Sequence, residues 1–348
     1  MKRILFFVAI SVLSVAAVLV FTYDPQTIHA IRSFNWRYAG VLVVVWAAAI
    51  TGSALSFWSL ARATGSRLPT GGAYSAAFLR VFGNLVTPFS FGGGPFAVFS
   101  MAERGVPSGK GSSIVITQMM VVSFYVLAVA LASFLHLRQE LVARPVLLVL
   151  FLVAGIAQVA GVVVTLLILI YPHGAIKLIN GLGLLLARLH IVRRADRFKR
   201  RVIHDGSVAR RSFRRYFTHH PWKFALGALG VAIMYAGELS LLWVIFSGLG
   251  YRMPLAEGLA MSALFYLTLS YLPTPGSSGL GEGVFVAIFA GRIPSHVLGI
   301  AVLLWRLFYS YAGSTVGAVI ASHHFMLRGA SAHKPTPVSS ESAIDQSK

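Results

Sequence analysis

Residues Tyr271 to Phe285 read Y-L-P-T-P-G-S-S-G-L-G-E-G-V-F. The stretch lies between two apolar segments, each too short to cross a bilayer comfortably. Pro273 and Pro275 lack the amide hydrogen that a helix needs. Gly276, Gly279, Gly281 and Gly283 admit backbone conformations that other residues avoid. Facing lipid, so irregular a backbone would leave polar groups unpaired at several kcal/mol each. The segment is therefore expected inside protein or along a wet cavity, where transporters place substrate sites.

A second stretch repeats it. Asn84 to Phe96 reads N-L-V-T-P-F-S-F-G-G-G-P-F. Arg67-Leu68-Pro69 precedes this one, as Arg252-Met253-Pro254 precedes the other. Both spacings are 19 residues, Pro69 to Pro88 and Pro254 to Pro273. Each stretch then reaches a Gly/Pro/Ser corner, Gly105-Val106-Pro107-Ser108 and Gly291-Arg292-Ile293-Pro294-Ser295. Three landmarks in order, 185 to 187 residues apart, imply an internal repeat.

Composition sets the class. Hydrophobic residues make up 57% of the 348, only 11% are charged, and there is no Cys. A soluble chain carries about 25% charged residues, so this is a polytopic membrane protein. The lack of Cys excludes disulfides and thiol chemistry. Thirty basic residues against ten acidic give a net charge of +20. In a membrane chain this reads as positive-inside topology and attraction to anionic lipid, not as nucleic-acid binding.

Apolar runs predict full spans at Ile4–Phe21, Tyr38–Leu60, Ser113–Leu135, Val146–Tyr171, Phe224–Phe246 and Val297–Ala321. The arms of two broken hairpins fall at 73–86 with 95–102, and at 255–272 with 284–290. Lys177 to Lys223 holds 13 Lys/Arg, and the loops assigned to the other side hold six. That contrast puts the basic loop and both termini in the cytoplasm of a cell whose plasma or inner membrane the chain crosses. Within the loop, Arg210, Arg211, Arg214 and Arg215 are expected to touch anionic lipid. The predicted fold is an all-α bundle of two inverted repeats, each with three spans and one re-entrant hairpin. Residues 1–140 form the first repeat and 141–323 the second, with a disordered tail at 324–348.

The same residues resemble the lysylphosphatidylglycerol synthase transmembrane-domain family, also called flippase-like membrane proteins. Asn84, Pro88, Gly92 and Gly93 match its first motif; Pro273, Pro275, Gly276, Gly279 and Glu282 match its second. The resemblance covers about residues 4 to 322. It implies a lipid flippase fold with two re-entrant hairpins and anionic or glycosylated lipid as cargo. The family's acidic residue after the first Gly-Gly, and the Arg beyond it, are here replaced by Gly94, Pro95 and the apolar Phe96 to Phe99. Lysine transfer to lipid is not expected.

Ionisable residues at membrane depth are costly and mark function. The candidates are Arg80, Glu238, Glu282 and Arg306, with Glu103 at the edge beside Arg104 and Lys110. Glu238 and Arg306 are expected to pair and pin two helices. Arg80, whose planar fork suits phosphate oxygens, is expected to hold a lipid phosphate, with Glu282 balancing it when no lipid is bound. Asn84, Thr87 and Ser90, and Thr274, Ser277 and Ser278, either bind headgroup oxygens or cap the broken helices.

No Gly-x-x-x-x-Gly-Lys-Ser/Thr loop is present and no cofactor or metal is implied. Two other classes compete with a lipid transporter. One is a membrane subunit that supports a lipid- or glycosyl-transferring enzyme. The other is a rhomboid-like protease built on Gly276-Ser277-Ser278-Gly279. A protease needs a base within reach of the serine, and the nearby downstream histidine, His296, opens a helix instead of lying mid-span.

Overall fold

In the computed structural model, residues 34–170, 215–216 and 218–332 are described, with backbone alone at 167–170 and 324–332. The predicted span Ile4–Phe21, the basic loop through Arg214 and the tail from residue 333 lie outside these residues. Among the described residues the chain is helical, with no strand. The helices are α1 (Arg37–Ala63), α2 (Thr70–Val86), α3 (Gly93–Ala102), α4 (Ser108–Ala143) and α5 (Pro145–Ile170). They continue with α6 (Pro221–Gly248), α7 (Leu255–Leu269), α8 (Leu280–Phe289), α9 (Ser295–Trp305) and α10 (Gly313–Ala332). A π-helical segment, Arg306–Ala312, joins α9 to α10 without a break. Among the described residues, five stretches are long and apolar enough to cross a membrane: α1, α4, Pro145–Leu166 of α5, α6 and Ser295–His323.

Prolines set the boundaries. Pro69, Pro107, Pro254 and Pro294, all extended, stand immediately before α2, α4, α7 and α9, where a missing N–H costs nothing. Pro88 and Pro275 open one-turn 3₁₀ segments, Pro88–Ser90 and Pro275–Ser277. At 1.5 Å per residue α2 is about 25 Å long and α3 about 15 Å. Neither spans a hydrocarbon core of about 30 Å, so each pair of arms forms a broken hairpin. α10 runs nine residues past 323, where the sequence reading begins a disordered tail. The segment F-M-L-R-G-A-S-A is rich in helix formers and extends the span.

The order long helix, short helix, 3₁₀ turn, ten-residue helix, long helix occurs twice. α2 and α7 begin 185 residues apart (255 − 70), whereas the two 3₁₀ turns and the starts of α4 and α9 are 187 apart (275 − 88; 295 − 108). Pro88 thus corresponds to Pro275, a correction to the alignment with Pro273, because the distance from the start of the first arm to its turn is two residues longer in the second half (275 − 255 against 88 − 70).

α1 and α6 form the central seam and run antiparallel. Asn35 N donates to Gly248 O at 2.9 Å at one end. Ser59 Oγ donates to Lys223 O at 2.6 Å at the other. α2 starts beside the second end and α7 beside the first, so the hairpins enter from opposite ends of this pair. The seam is closed by glycine. A Cβ on Gly52 would lie 2.5 Å from Gly230 O and Met234 N, and one on Gly237 would lie 2.8 Å from Val45 O. Gly52 and Gly237, and likewise Val45 and Gly230, are 185 residues apart (237 − 52; 230 − 45). The same contact is therefore made twice, once from each half.

Gly52→Leu and Gly237→Leu should each force these backbones apart and cost about 1–3 kcal/mol. Gly40→Leu, on the same α1 with open space around it, serves as the control. Thermal melting in detergent reads the difference. Equal melting of Gly52→Leu and Gly40→Leu would refute the seam.

Candidate functional site: two hairpin tips and a buried charge cluster

The two 3₁₀ turns touch each other. A Cβ on Gly276 would lie 2.5 Å from Leu85 Cδ1 and 3.1 Å from Leu85 O. Both turns hold two consecutive residues in the left-handed region. In the first these are Phe89 (φ 53) and Ser90 (φ 55), and in the second Gly276 (φ 56) and Ser277 (φ 55). For a residue as bulky as Phe89 this conformation is strained, and strain of this kind gathers at functional sites. Pro88, Phe89, Ser90 and Phe91 of the first tip are exposed, and Phe89 stacks on Phe91 with centroids 5.6 Å apart. Pro273, Gly279 and Leu280 are exposed at the second.

The first tip is held by its own polar groups. Thr87 Oγ1 donates to Gly83 O at 2.7 Å and accepts from Gly92 N at 2.7 Å. Asn84 packs against Gly93, where any Cβ would collide with Asn84 Oδ1 and approach Arg80 O to 2.9 Å. Thr87 thus serves the cap, and Gly92 and Gly93 serve close approach of the two arms.

The second tip is held by an arginine. Arg306 Nε donates to Glu282 Oε1 at 2.8 Å. Its Nη1 donates to Gly276 O at 2.7 Å and its Nη2 to Ser277 O at 3.0 Å. Both side chains are 1% exposed. Glu282 Oε2 in turn accepts from Gly279 N at 2.8 Å, capping the start of α8. Ser277 Oγ donates to Leu269 O at 3.2 Å, while Thr274 Oγ1 is buried without a partner. Among the described residues no histidine hydrogen-bonds Ser277 or Ser278, so the protease arrangement is not assembled here.

The pairing differs from the one expected. Arg306 holds Glu282, not Glu238, and Glu282 does not face Arg80. The cause is local: the carbonyls freed by the broken backbone at Gly276 and Ser277 need donors at membrane depth, and Arg306 opens the π segment directly beneath them. The Arg306 guanidinium lies over the Trp305 ring, 4.4 Å from its centroid, and Trp305 packs on Phe265 and Phe285.

Arg80 and Glu238 are left together. Arg80 reaches from α2 to α6, where Nη2 donates to Met234 Sδ at 3.1 Å, and its buried Nε has no partner. A thioether is a weak acceptor. Among the described residues Glu238 makes no ion pair and no hydrogen bond. It borders a cavity of about 30 Å³ lined also by Tyr235, Tyr266, Ser270 and Tyr309, enough for about one water. Sequence reasoning gave these tyrosines no site role. Tyr235 lies three residues before Glu238 and Tyr309 three after Arg306, and helical neighbours at that spacing share a face; this was the available signal.

At the periphery, Arg292 bridges Glu140 and Glu257, and Arg144 lies 3.8 Å from Glu140. Arg104 donates to Ser75 Oγ at 2.8 Å. Each corner arginine thus ties its corner to the first arm of its own hairpin. Arg215 is exposed; Arg210, Arg211 and Arg214 lie outside the described residues.

Comparison with known proteins agrees with the paired motifs. A membrane protein of Archaeoglobus fulgidus described as a UPF0104 membrane protein is 23% identical over 331 residues, covering 91% of this chain and 95% of the relative. The family model described as the lysylphosphatidylglycerol synthase TM region matches residues 5–317. That match takes in both hairpins and the helices that carry Arg80, Glu238, Glu282 and Arg306, and the chain belongs to this family of integral membrane proteins.

Proposed function

We propose that this protein moves an anionic or glycosylated lipid between the leaflets of a cell's inner membrane, and that it is not an enzyme. One observation carries the reading: two broken hairpins, entering from opposite ends of the α1–α6 seam, meet tip to tip, and the first arm carries Arg80, a guanidinium with no oxygen acceptor among the described residues. The repeated element order and the doubled glycine contact support treating the halves as inverted repeats around that meeting point. Repeats so related rock about a central site and expose it to each side in turn.

The cargo class follows from the groups present. A guanidinium takes phosphate oxygens two at a time. The amides and hydroxyls of Asn84, Ser90 and Thr274 suit headgroup or sugar oxygens. The exposed Phe89, Phe91 and Leu280 offer an apolar surface to acyl chains. The basic loop would lie at the cytoplasmic leaflet, with Arg210, Arg211, Arg214 and Arg215 on anionic headgroups.

The test is reconstitution. Liposomes carrying the purified full-length chain and a fluorescent phosphatidylglycerol in both leaflets should lose nearly all fluorescence to an external reductant, against about half in protein-free liposomes. Identical loss with and without protein, for anionic and glycosylated lipid probes alike, would refute the reading.

A further inference from the structure

Among the described residues, Glu238 and Arg80 are charged groups at membrane depth that make no ion pair. Arg306 and Glu282 satisfy each other and the broken backbone around them. Arg80 meets a sulfur, and Glu238 meets a cavity. An unpaired carboxylate at membrane depth is costly as an anion.

The surroundings of Glu238 identify what balances it. α6 contributes Tyr235, α7 contributes Tyr266, and Ser270 caps its C-terminal end. Tyr271 follows α7, and the π segment contributes Tyr309, with Arg306 beyond it committed to Glu282. α4 contributes only Val126 and Val129 to the cavity, with the Tyr125 ring tilted against Tyr235 at 5.3 Å between centroids. Phenols stay neutral near pH 7. Arg80 of α2 meets α6 at Met234, one helical turn before Glu238 on the same face, and among the described residues it is the cation placed to act on Glu238. The charge state of Glu238 therefore depends on whether Arg80 is free or neutralised.

We propose that Glu238 is a proton-binding site coupled to anion binding at Arg80, so that the protein takes up one proton with each phosphate-bearing headgroup. With Arg80 free, its positive charge supports the Glu238 carboxylate. When a phosphate monoanion binds Arg80, that support is cancelled and the carboxylate accepts a proton from water. The cavity then returns to its former net charge, with the phosphate and the proton added together. This rests on the lipid-translocation reading and adds a driving force to it: a proton gradient would move the anionic lipid.

The test counts protons. The purified full-length chain, in weakly buffered detergent at pH 7 with an indicator dye, is titrated with dihexanoyl phosphatidylglycerol and, separately, with dimethyl phosphate as a tail-free phosphodiester. The coupling predicts uptake of about one proton per bound phosphatidylglycerol. It also predicts an affinity that weakens about tenfold per pH unit where the two sites are coupled. Uptake with dimethyl phosphate would support the coupling and assign recognition to the phosphate itself. Glu238→Gln, fixed as the protonated form, should bind with no proton uptake and no pH dependence, and Glu238→Asp should restore both. The wild-type proton count needs no variant, so misfolding of a mutant does not hide the answer. Binding of phosphatidylglycerol by the wild type without proton uptake, or unchanged uptake by Glu238→Gln, would overturn the coupling while leaving lipid binding intact. Absence of any binding by the wild type would overturn both readings.

Discussion

Arg306→Ala should be among the most destabilising single changes in the described membrane domain. The substitution removes the donors to Glu282 Oε1, Gly276 O and Ser277 O at once. It takes the ion-pair partner from Glu282 and the side-chain donor from two backbone carbonyls, at a place where the Arg306 and Glu282 side chains are 1% exposed. Removing one partner of a buried pair costs about 3–5 kcal/mol, and here the second hairpin loses its anchor as well. The expected result is low yield of folded protein and a large fall in melting temperature, read by intrinsic fluorescence in detergent. Glu282→Leu combined with Arg306→Met should recover part of the loss, because two apolar residues leave no stranded charge, although the carbonyls of Gly276 and Ser277 stay unpaired. Wild-type melting of Arg306→Ala would mean that another group holds the second tip.

Much of this architecture can be read from the sequence, for physical reasons. Proline and glycine act through the backbone of their own residue, so the broken hairpins and corners appear as letters at fixed spacing. The long spans appear as apolar runs because a bilayer imposes their length. The partner of a buried charge is different. Glu238 and Arg306 are both mid-span, and nothing in their spacing says that the carbonyls of Gly276 and Ser277 will compete for the guanidinium. That competition exists only once the turn after Pro275 has folded with Gly276 and Ser277 in the left-handed region. The register of the repeat shifts for a similar reason. Pro273 and Pro275 are equally good breakers, and it is the geometry of the turn that selects Pro275 as the equivalent of Pro88.

The site divides along the same line. Thr87, Gly92 and Gly93 stand out in the sequence as unusual residues, and their roles are local: a cap and two close approaches. The cavity beside Glu238 is assembled from α4, α6, α7 and the π segment. No local pattern reports a meeting of four elements. The tyrosines that line it look in the sequence like ordinary interfacial aromatics. The corner arginines were hidden too, because Glu140 and Glu257 become partners of Arg292, and Ser75 of Arg104, only through tertiary packing.

Arg80→Ala should give the opposite result to Arg306→Ala: a protein that folds and does not transport. The two arginines carry the same charge in the same membrane interior, and their partners differ. Arg80 loses a hydrogen bond to a thioether and no ion pair when it is truncated. Its buried Nε has no partner to strand. Removing an undercompensated charge from the interior relieves a desolvation cost, so yield and melting temperature should stay close to wild type. The proposed phosphate contact is lost altogether. The loss of a charge-assisted, bidentate contact leaves no comparable donor at the tips, so the lipid-dependent signal in the liposome assay should fall to the protein-free level. Arg80→Lys keeps a point charge without the fork and should retain a small fraction of the rate. Transport by Arg80→Ala at the wild-type rate, with the protein inserted and folded, would show that the cargo's charge is met elsewhere and that Arg80 is only a neighbour of Glu238.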